Sequence, residues 1–182
     1  WIHCDASFYP EDQEFNKKYY KNVDKIVGVS ESVMEIYKKL NPQYADKTDY
    51  CYNFFNYDTI REKANELPKI KYEEGKFICF SASRLDPEKG IERTITAIAP
   101  ILKEHSDVVW YIAGAGGSEN DIKQLIKQEK LEKQVFLLGM IENPYPYMKN
   151  ADLFMLNSYQ EAAPMVYNEV KSLGTPIFST KT

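Results

Sequence analysis

Cysteine is scarce: Cys4, Cys51 and Cys79 stand far apart in a chain of 182 residues, with no Cys-x-x-Cys pair. An odd, scattered set excludes a disulfide framework or a cysteine zinc site and fits a reducing compartment. All three are then expected to be small buried apolar residues. No apolar run approaches the ~18 residues of a membrane-spanning helix. Neither sign of charge dominates: 23 Lys and Arg against 27 Asp and Glu give −4. A mildly acidic, mixed surface excludes a protein built to wrap nucleic acid. There is no internal repeat, no low-complexity tract and no Asp-x-Asp triplet. The chain opens Trp1-Ile2-His3-Cys4-Asp5, without an initiator Met or signal-peptide pattern, and is expected to be a piece of something longer.

What is present is an ordinary globular composition, 43% apolar and 27% charged, which excludes disorder. The length fits one large domain or a domain with part of a second. From residue 76 onward, apolar runs alternate with helical periods. Strands are expected at 77–80, 108–112, 135–138, 153–156 and 176–178, all without the polar alternation of a half-exposed strand. Helices are expected at 91–104, 119–130, 145–149 and 164–173. Strands alternating with helices predict a doubly wound α/β domain around a parallel sheet. Upstream, 25–29 predicts a buried strand, Ser30 an N-cap, and Asn41-Pro42 a helix stop. A further strand is expected near 49–52 and a helix from Asn56 to Glu66. The charged, turn-prone stretch 68–76 is the expected boundary, giving domains 1–67 and 68–182. Fourteen tyrosines could mark a carbohydrate or membrane surface, but a spread this even is more often simple core and surface filling.

In an open α/β sheet a ligand binds beyond the carboxyl ends of the strands. After the first strand of the second domain, Arg84 and Lys89 bracket a tight turn before a helix N-terminus. Two cations and a helix dipole can cradle a diphosphate, but a solvated loop with Arg84 paired to Asp86 or Glu88 is an equal reading. After the second strand, Gly114-Ala115-Gly116-Gly117 fails the G-x-G-x-x-G spacing, because residue 119 is Glu. Close approach of a ligand and a helix-capping turn both remain open there. After the fourth strand, Glu161 and Glu169 are eight positions apart, ~12 Å along a helix axis. A retaining glycoside hydrolase needs carboxylates ~5 Å apart, so the pair is no hydrolytic dyad. It could hold two parts of one long ligand, or comprise a cap and an unrelated surface residue.

Together these elements resemble the retaining, nucleotide-sugar-dependent glycosyltransferases of the GT-B fold, group 1 (family 4). The carriers are Ser81-x-x-Arg84-Leu85-x-x-Glu88-Lys89-Gly90-Ile91, the Glu161/Glu169 spacing, and Gly174-Thr175-Pro176. Asp24 to Ser32 looks like the last βα unit of that family's first domain, and Tyr52-Asn53-Phe54-Phe55-Asn56 like its interdomain crossing. The resemblance implies a Rossmann-like donor domain preceded by the tail of an acceptor-side domain. It implies a nucleoside-diphosphate sugar as donor and a glycan or lipid-linked acceptor, in cell-surface polysaccharide synthesis. Arg84, Lys89 and Met165 would hold the diphosphate, Glu169 the ribose, and backbone near Met140 and Ile141 the base. Glu161, Ala162 and Ala163 would face the donor sugar, and His3 the acceptor side, unless His3 makes a structural strand-end bond. No metal or other cofactor is expected. A cytoplasmic enzyme is implied, at the inner membrane face if a preceding acceptor domain touches lipid. The family commonly has Glu-Gly-x-Gly where this chain has Glu161-Ala162-Ala163-Pro164. Pro164 removes a backbone donor and Ala discourages positive φ, which puts sugar orientation in question. A nucleotide-sugar 2-epimerase of the same fold, or a non-catalytic nucleotide-binding module, are the competing expectations.

Overall fold

The computed structural model describes Ile2 and residues 20–181. The chain divides into two compact units, residues 1–54 with 161–165 and residues 55–160 with 166–182. The division falls after Phe54, ahead of the charged stretch 68–76 where the sequence predicts a boundary.

In the first unit, β1 (Ile26–Gly28) and β2 (Thr48–Tyr50) pair in parallel across α1 (Glu31–Leu40). Ser30 caps α1, its hydroxyl accepting the Val33 amide at 3.3 Å. Asn41 ends the helix, and Pro42–Lys47 continues as a 3-10 turn that the sequence pattern did not predict. Val33, Met34 and Tyr37 of α1 pack with Ile2 and Ile26 into a small core.

The second unit begins with α2 (Tyr57–Lys63), which is capped by Asn56 and ends three residues before the expected Glu66. Its sheet comprises β3 (Phe77–Ala82), β4 (Val108–Ala113), β5 (Val135–Gly139), β6 (Leu153–Leu156) and β7 (Ile177–Ser179). The order is β5-β4-β3-β6-β7 and every pairing is parallel. Helices α3 (Ile91–Glu104), α4 (Glu119–Gln128), α5 (Tyr145–Lys149) and α6 (Met165–Leu173) supply the crossovers.

Successive side chains of a strand point to opposite faces, and both faces here are covered. Cys79, Trp110, Ile112, Val135 and Met155 pack on one side with Ile91, Ile95, Ala99 and Leu102 of α3. Ile78, Phe80, Val109, Tyr111, Phe154 and Leu156 pack on the other with Tyr147, Met148 and Val170. Two-sided burial is why these strands read as unbroken apolar runs. Cys79 is buried as expected, Cys51 is only half-buried, and Cys4 lies outside the described residues.

Chain order reverses between β3 and β6, where doubly wound sheets open a crevice. Ser81 fastens this joint. Its hydroxyl donates to the Met155 carbonyl at 2.7 Å and accepts Trp110 Nε1–H at 3.0 Å.

Candidate functional site

The loop after β3 is held by the glycine-rich loop after β4. Ser83 N donates to Ala113 O at 3.1 Å, Leu85 N to Ala115 O at 2.9 Å, and Ser118 N to Leu85 O at 2.8 Å. Gly117 N donates to Asp86 Oδ1 at 3.2 Å. A Cβ on Gly114 would collide with the Ser83 carbonyl, and one on Gly116 with the Leu85 backbone; Gly114 also has φ of +140°. The glycines therefore serve the close approach of one loop to another. Neither reading from the sequence anticipated this, and the Ser118 side chain makes no capping bond to α4.

Arg84 projects from this zipped loop with its side chain mostly exposed. Nη1 pairs with Asp86 Oδ2 at 2.6 Å and Nη2 with Glu88. The same residue lines a cavity of about 210 Å³ beyond the carboxyl ends of β3, β4 and β5, with Ser83, Gly114, Met140, Ile141 and Pro144. Arg84 is thus both ion-paired within its loop and part of the cavity lining. Lys89 ends the 3-10 turn Pro87–Lys89, and Gly90 follows at φ +64°, opening α3 without a side-chain cap. A Cβ on Gly90 would strike the Asn157 carbonyl.

The turn is tied across the switch to the loop after β6. Tyr159 N donates to Glu88 O at 2.8 Å, and Arg93 Nη2 to Asn157 O at 2.6 Å. The Arg93 guanidinium lies 3.8 Å from the centroid of the Tyr159 ring. Sequence reasoning missed Arg93, since nothing distinguishes a helix-surface Arg until its partner 64 residues away is placed.

Met140 and Ile141 follow Gly139, which has φ of +68°. They border the 210 Å³ cavity and also a larger one of about 370 Å³, lined by Leu67, Pro68, Ile70, Leu138 and Tyr147. The larger cavity lacks Arg84 and is lined by no residue of β3 or β4.

Glu169 sits on α6, whose Val166, Val170 and Leu173 face the core beside Phe80 and Phe154. Adjoining that stripe, its carboxylate is half-buried and accepts the Tyr145 hydroxyl at 3.3 Å. Burial pushes the Glu169 carboxyl above the usual carboxylate range, while the phenol bond works in the opposite direction. Tyr145 was also missed from sequence, where it is one of fourteen tyrosines.

Residues 161–165 group with the first unit. There Ala162 packs against the cluster of Ile2, Ile26, Val33, Met34 and Tyr37. Asn53 Nδ2 donates to Ala163 O at 3.5 Å. Neither alanine has positive φ, so the stretch needs no glycine, and the Ala162 methyl has a packing role. Glu161 is in this stretch, as is Met165, the exposed first residue of α6. His3 lies outside the described residues. Of the residues selected from sequence, the second unit therefore joins Arg84, Met140 and Ile141 in one cavity and also carries Lys89 and Glu169. Among the described residues, no three His, Cys, Asp or Glu side chains cluster in a way that could hold a metal ion.

A family model described as glycosyl transferases group 1 matches residues 62–182. An uncharacterized glycosyltransferase of Methanocaldococcus jannaschii is 26% identical over 167 residues, 90% of this chain and 41% of its own length. The alpha-monoglucosyldiacylglycerol synthase of Streptococcus pneumoniae is 32% identical over 122 residues, 65% of this chain and 28% of its own. TarM of S. aureus, crystallised with fondaparinux, alpha-GlcNAc-glycerol and UDP, superposes with a TM-score of 0.74 at 20% identity, over 93% of this chain and 32% of that one. HepE of Anabaena in complex with UDP gives 0.72 at 20% identity, over 88% and 45%. At those identities the structural likeness is one of fold. The chain spans less than half the length of each of these relatives.

Proposed function

This chain belongs to the group 1 glycosyl transferases, and from that premise we propose that it forms the donor-binding part of a retaining, family 4 enzyme. The enzyme transfers a sugar from a nucleoside-diphosphate donor to a hydroxyl of a glycan or lipid-linked acceptor, in building cell-surface polysaccharide or glycolipid. The observation that carries this reading is the cavity joining Arg84 to Met140 and Ile141 beyond the ends of β3, β4 and β5. Support comes also from the names of the relatives above, which are transferases or synthases, and from neighbours whose structures contain UDP.

In this reading the base lies along Met140 and Ile141, the ribose hydroxyls donate to Glu169, and the diphosphate meets Arg84, Lys89 and Met165. Arg84 must then exchange Asp86 and Glu88 for phosphate oxygens. The exchange is inexpensive, since an exposed ion pair contributes only about 0–1 kcal/mol, and the Arg84 side chain is 66% exposed. Glu161, with Ala162 and Ala163, faces the donor sugar, and His3 the acceptor. The bond between the anomeric carbon and the phosphate oxygen breaks, and the diphosphate leaves with the electron pair. The acceptor oxygen attacks the same face of the oxocarbenium-like centre, its proton passing to the departing phosphate. Fixed cations where that charge develops lower the barrier without a proton donor. No metal is needed for this step, and the complete enzyme should keep its activity in EDTA.

Thermal-shift titration of this chain with UDP, ADP, GDP and their sugars tests the reading. At a hundredfold excess over Kd, a ligand adds about 2.7 kcal/mol of stability. No shift with any of them at millimolar concentration would refute it. The 182-residue chain alone should transfer no sugar, because closing the site needs the rest of the acceptor side.

A further inference from the structure

We propose that Tyr145 is the positioning residue for Glu169, tying the loop that borders the base-side cavity to the carboxylate that receives the ribose. The inference rests on the ribose role of Glu169 given above.

The connection can be followed atom by atom within the second unit. Asn143 Nδ2 donates to the Lys63 carbonyl at 3.0 Å and to Glu66 Oε2 at 2.8 Å, so its side chain is fixed against the end of α2. Asn143 Oδ1 accepts the Tyr145 amide at 3.1 Å, setting the first residue of α5. Pro144 between them lines the 210 Å³ cavity. The Tyr145 ring packs on the Phe80 and Phe154 face of the sheet, and its hydroxyl donates to Glu169 Oε1 at 3.3 Å. Oε1 is thereby held, leaving Oε2 as the acceptor for a ligand hydroxyl.

A phenol donating to a carboxylate favours the ionised form, the form that best accepts hydroxyl hydrogens. The need is real here because burial opposes ionisation at this site. From α5, the titratable group facing the carboxylate is Tyr145. On α6 itself, Tyr167 and Lys171 stand two positions away, a spacing at which helix side chains do not face one another. Among the described residues no Lys or Arg is ion-paired with Glu169. Tyr145 is therefore the group that offsets burial.

The test is calorimetric binding of UDP, with ADP and GDP as further probes, between pH 5 and 8 to the unaltered chain, Tyr145→Phe, Glu169→Gln and the double variant. Tyr145→Phe keeps the ring in the core and should melt close to the unaltered chain. Its nucleotide affinity should fall about fivefold at pH 7, the worth of one net hydrogen bond. The acid-side loss of affinity should also begin at higher pH than in the unaltered chain. On the Glu169→Gln background, adding Tyr145→Phe should cost nothing further. A Tyr145→Phe binding curve superimposed on that of the unaltered chain at every pH, with Glu169→Gln impaired, overturns the inference alone. So does an affinity loss that is constant with pH and persists in the Glu169→Gln background. Unimpaired nucleotide binding by Glu169→Gln, or no binding by any variant, overturns the ribose reading and the inference with it.

Discussion

Replacing Ser81 by alanine tests the joint at which the sheet reverses order. The hydroxyl bridges three strands, accepting from Trp110 on β4 and donating to the Met155 carbonyl on β6. An indole nitrogen can only donate, and Trp110 is fully buried, so Ser81→Ala leaves that N–H against carbon with no water to replace the lost oxygen. A buried group stripped of its partner costs about 1–3 kcal/mol. Taking ~2 kcal/mol, and about 4 °C per kcal/mol for a domain of this size, the melting temperature should fall by about 8 °C. Far-UV circular dichroism is the right assay, because tryptophan fluorescence would report the perturbed residue itself. Trp110→Phe separates the hydrogen bond from general damage. It costs packing volume, but in the double variant no donor is left stranded, so the two losses should fall short of additivity by at least ~1 kcal/mol. A Ser81→Ala melt within 2 °C of the unaltered chain (a bound of about 0.5 kcal/mol), or strictly additive losses, would refute the reasoning.

Glu169→Ala should weaken UDP and UDP-sugar binding equally, by about tenfold or more, the worth of a charged hydrogen bond. Glu161→Ala should spare UDP binding in calorimetry while lowering kcat of the complete enzyme, and equal affinity losses in the two variants would contradict that division of roles. Burial raises the Glu169 carboxyl above its ordinary range, so the fold prefers it protonated and the carboxylate costs stability once pH passes the unfolded value. Glu169→Gln should therefore melt higher than the unaltered chain at pH 7, an advantage that disappears in melts below about pH 4, where both states are protonated. Burial pushes the Cys79 thiol up to about 11, so at pH 8 mass-spectrometric mapping should find Cys51 alkylated before Cys79, which reacts only when the chain unfolds.

The fold was legible because it depends on burial repeated over many residues. All five strands of the larger sheet fall where the apolar runs predict, and α3 spans Ile91–Glu104 as its spacing requires. Ile91, Ile95, Ala99 and Leu102 recur on one face, and no single loop could disguise that pattern. The parallel order followed from helices alternating with such runs. Where no apolar period runs through a segment, the sequence carries little signal. The 3-10 turn Pro42–Lys47 buries no residue, and therefore leaves no apolar signature. The unit division at Phe54 was hidden because α2, whose buried residue is Ile60, groups with the second unit although it precedes the charged stretch that looked like a boundary.

The candidate site residues stand out in the sequence by their charge and their supports do not, and the difference is one of sequence distance. Arg84, Lys89 and Glu169 announce themselves by type and by the turns beside them. What fixes them is made by partners that no local pattern connects. Ser83 and Leu85 are bonded to 113–118, Glu88 and Arg93 to 157–159, and Tyr145 to Glu169, spans of 24 to 71 residues. The glycine loop shows the consequence most directly. A run of Gly114, Gly116 and Gly117 looks like room made for a phosphate, yet two of the three absent side chains make room for the backbone of Ser83 and Leu85. The glycines thus let the Arg84 loop approach its neighbour closely, and Arg84 lines the cavity beyond it. Alanine at 162 follows the same logic in reverse, since a half-buried methyl group packed against the first unit's core stands where a glycine would have given freedom. In both places the residue type is set by the backbone or core that lies against it, and chemistry at the site inherits the result.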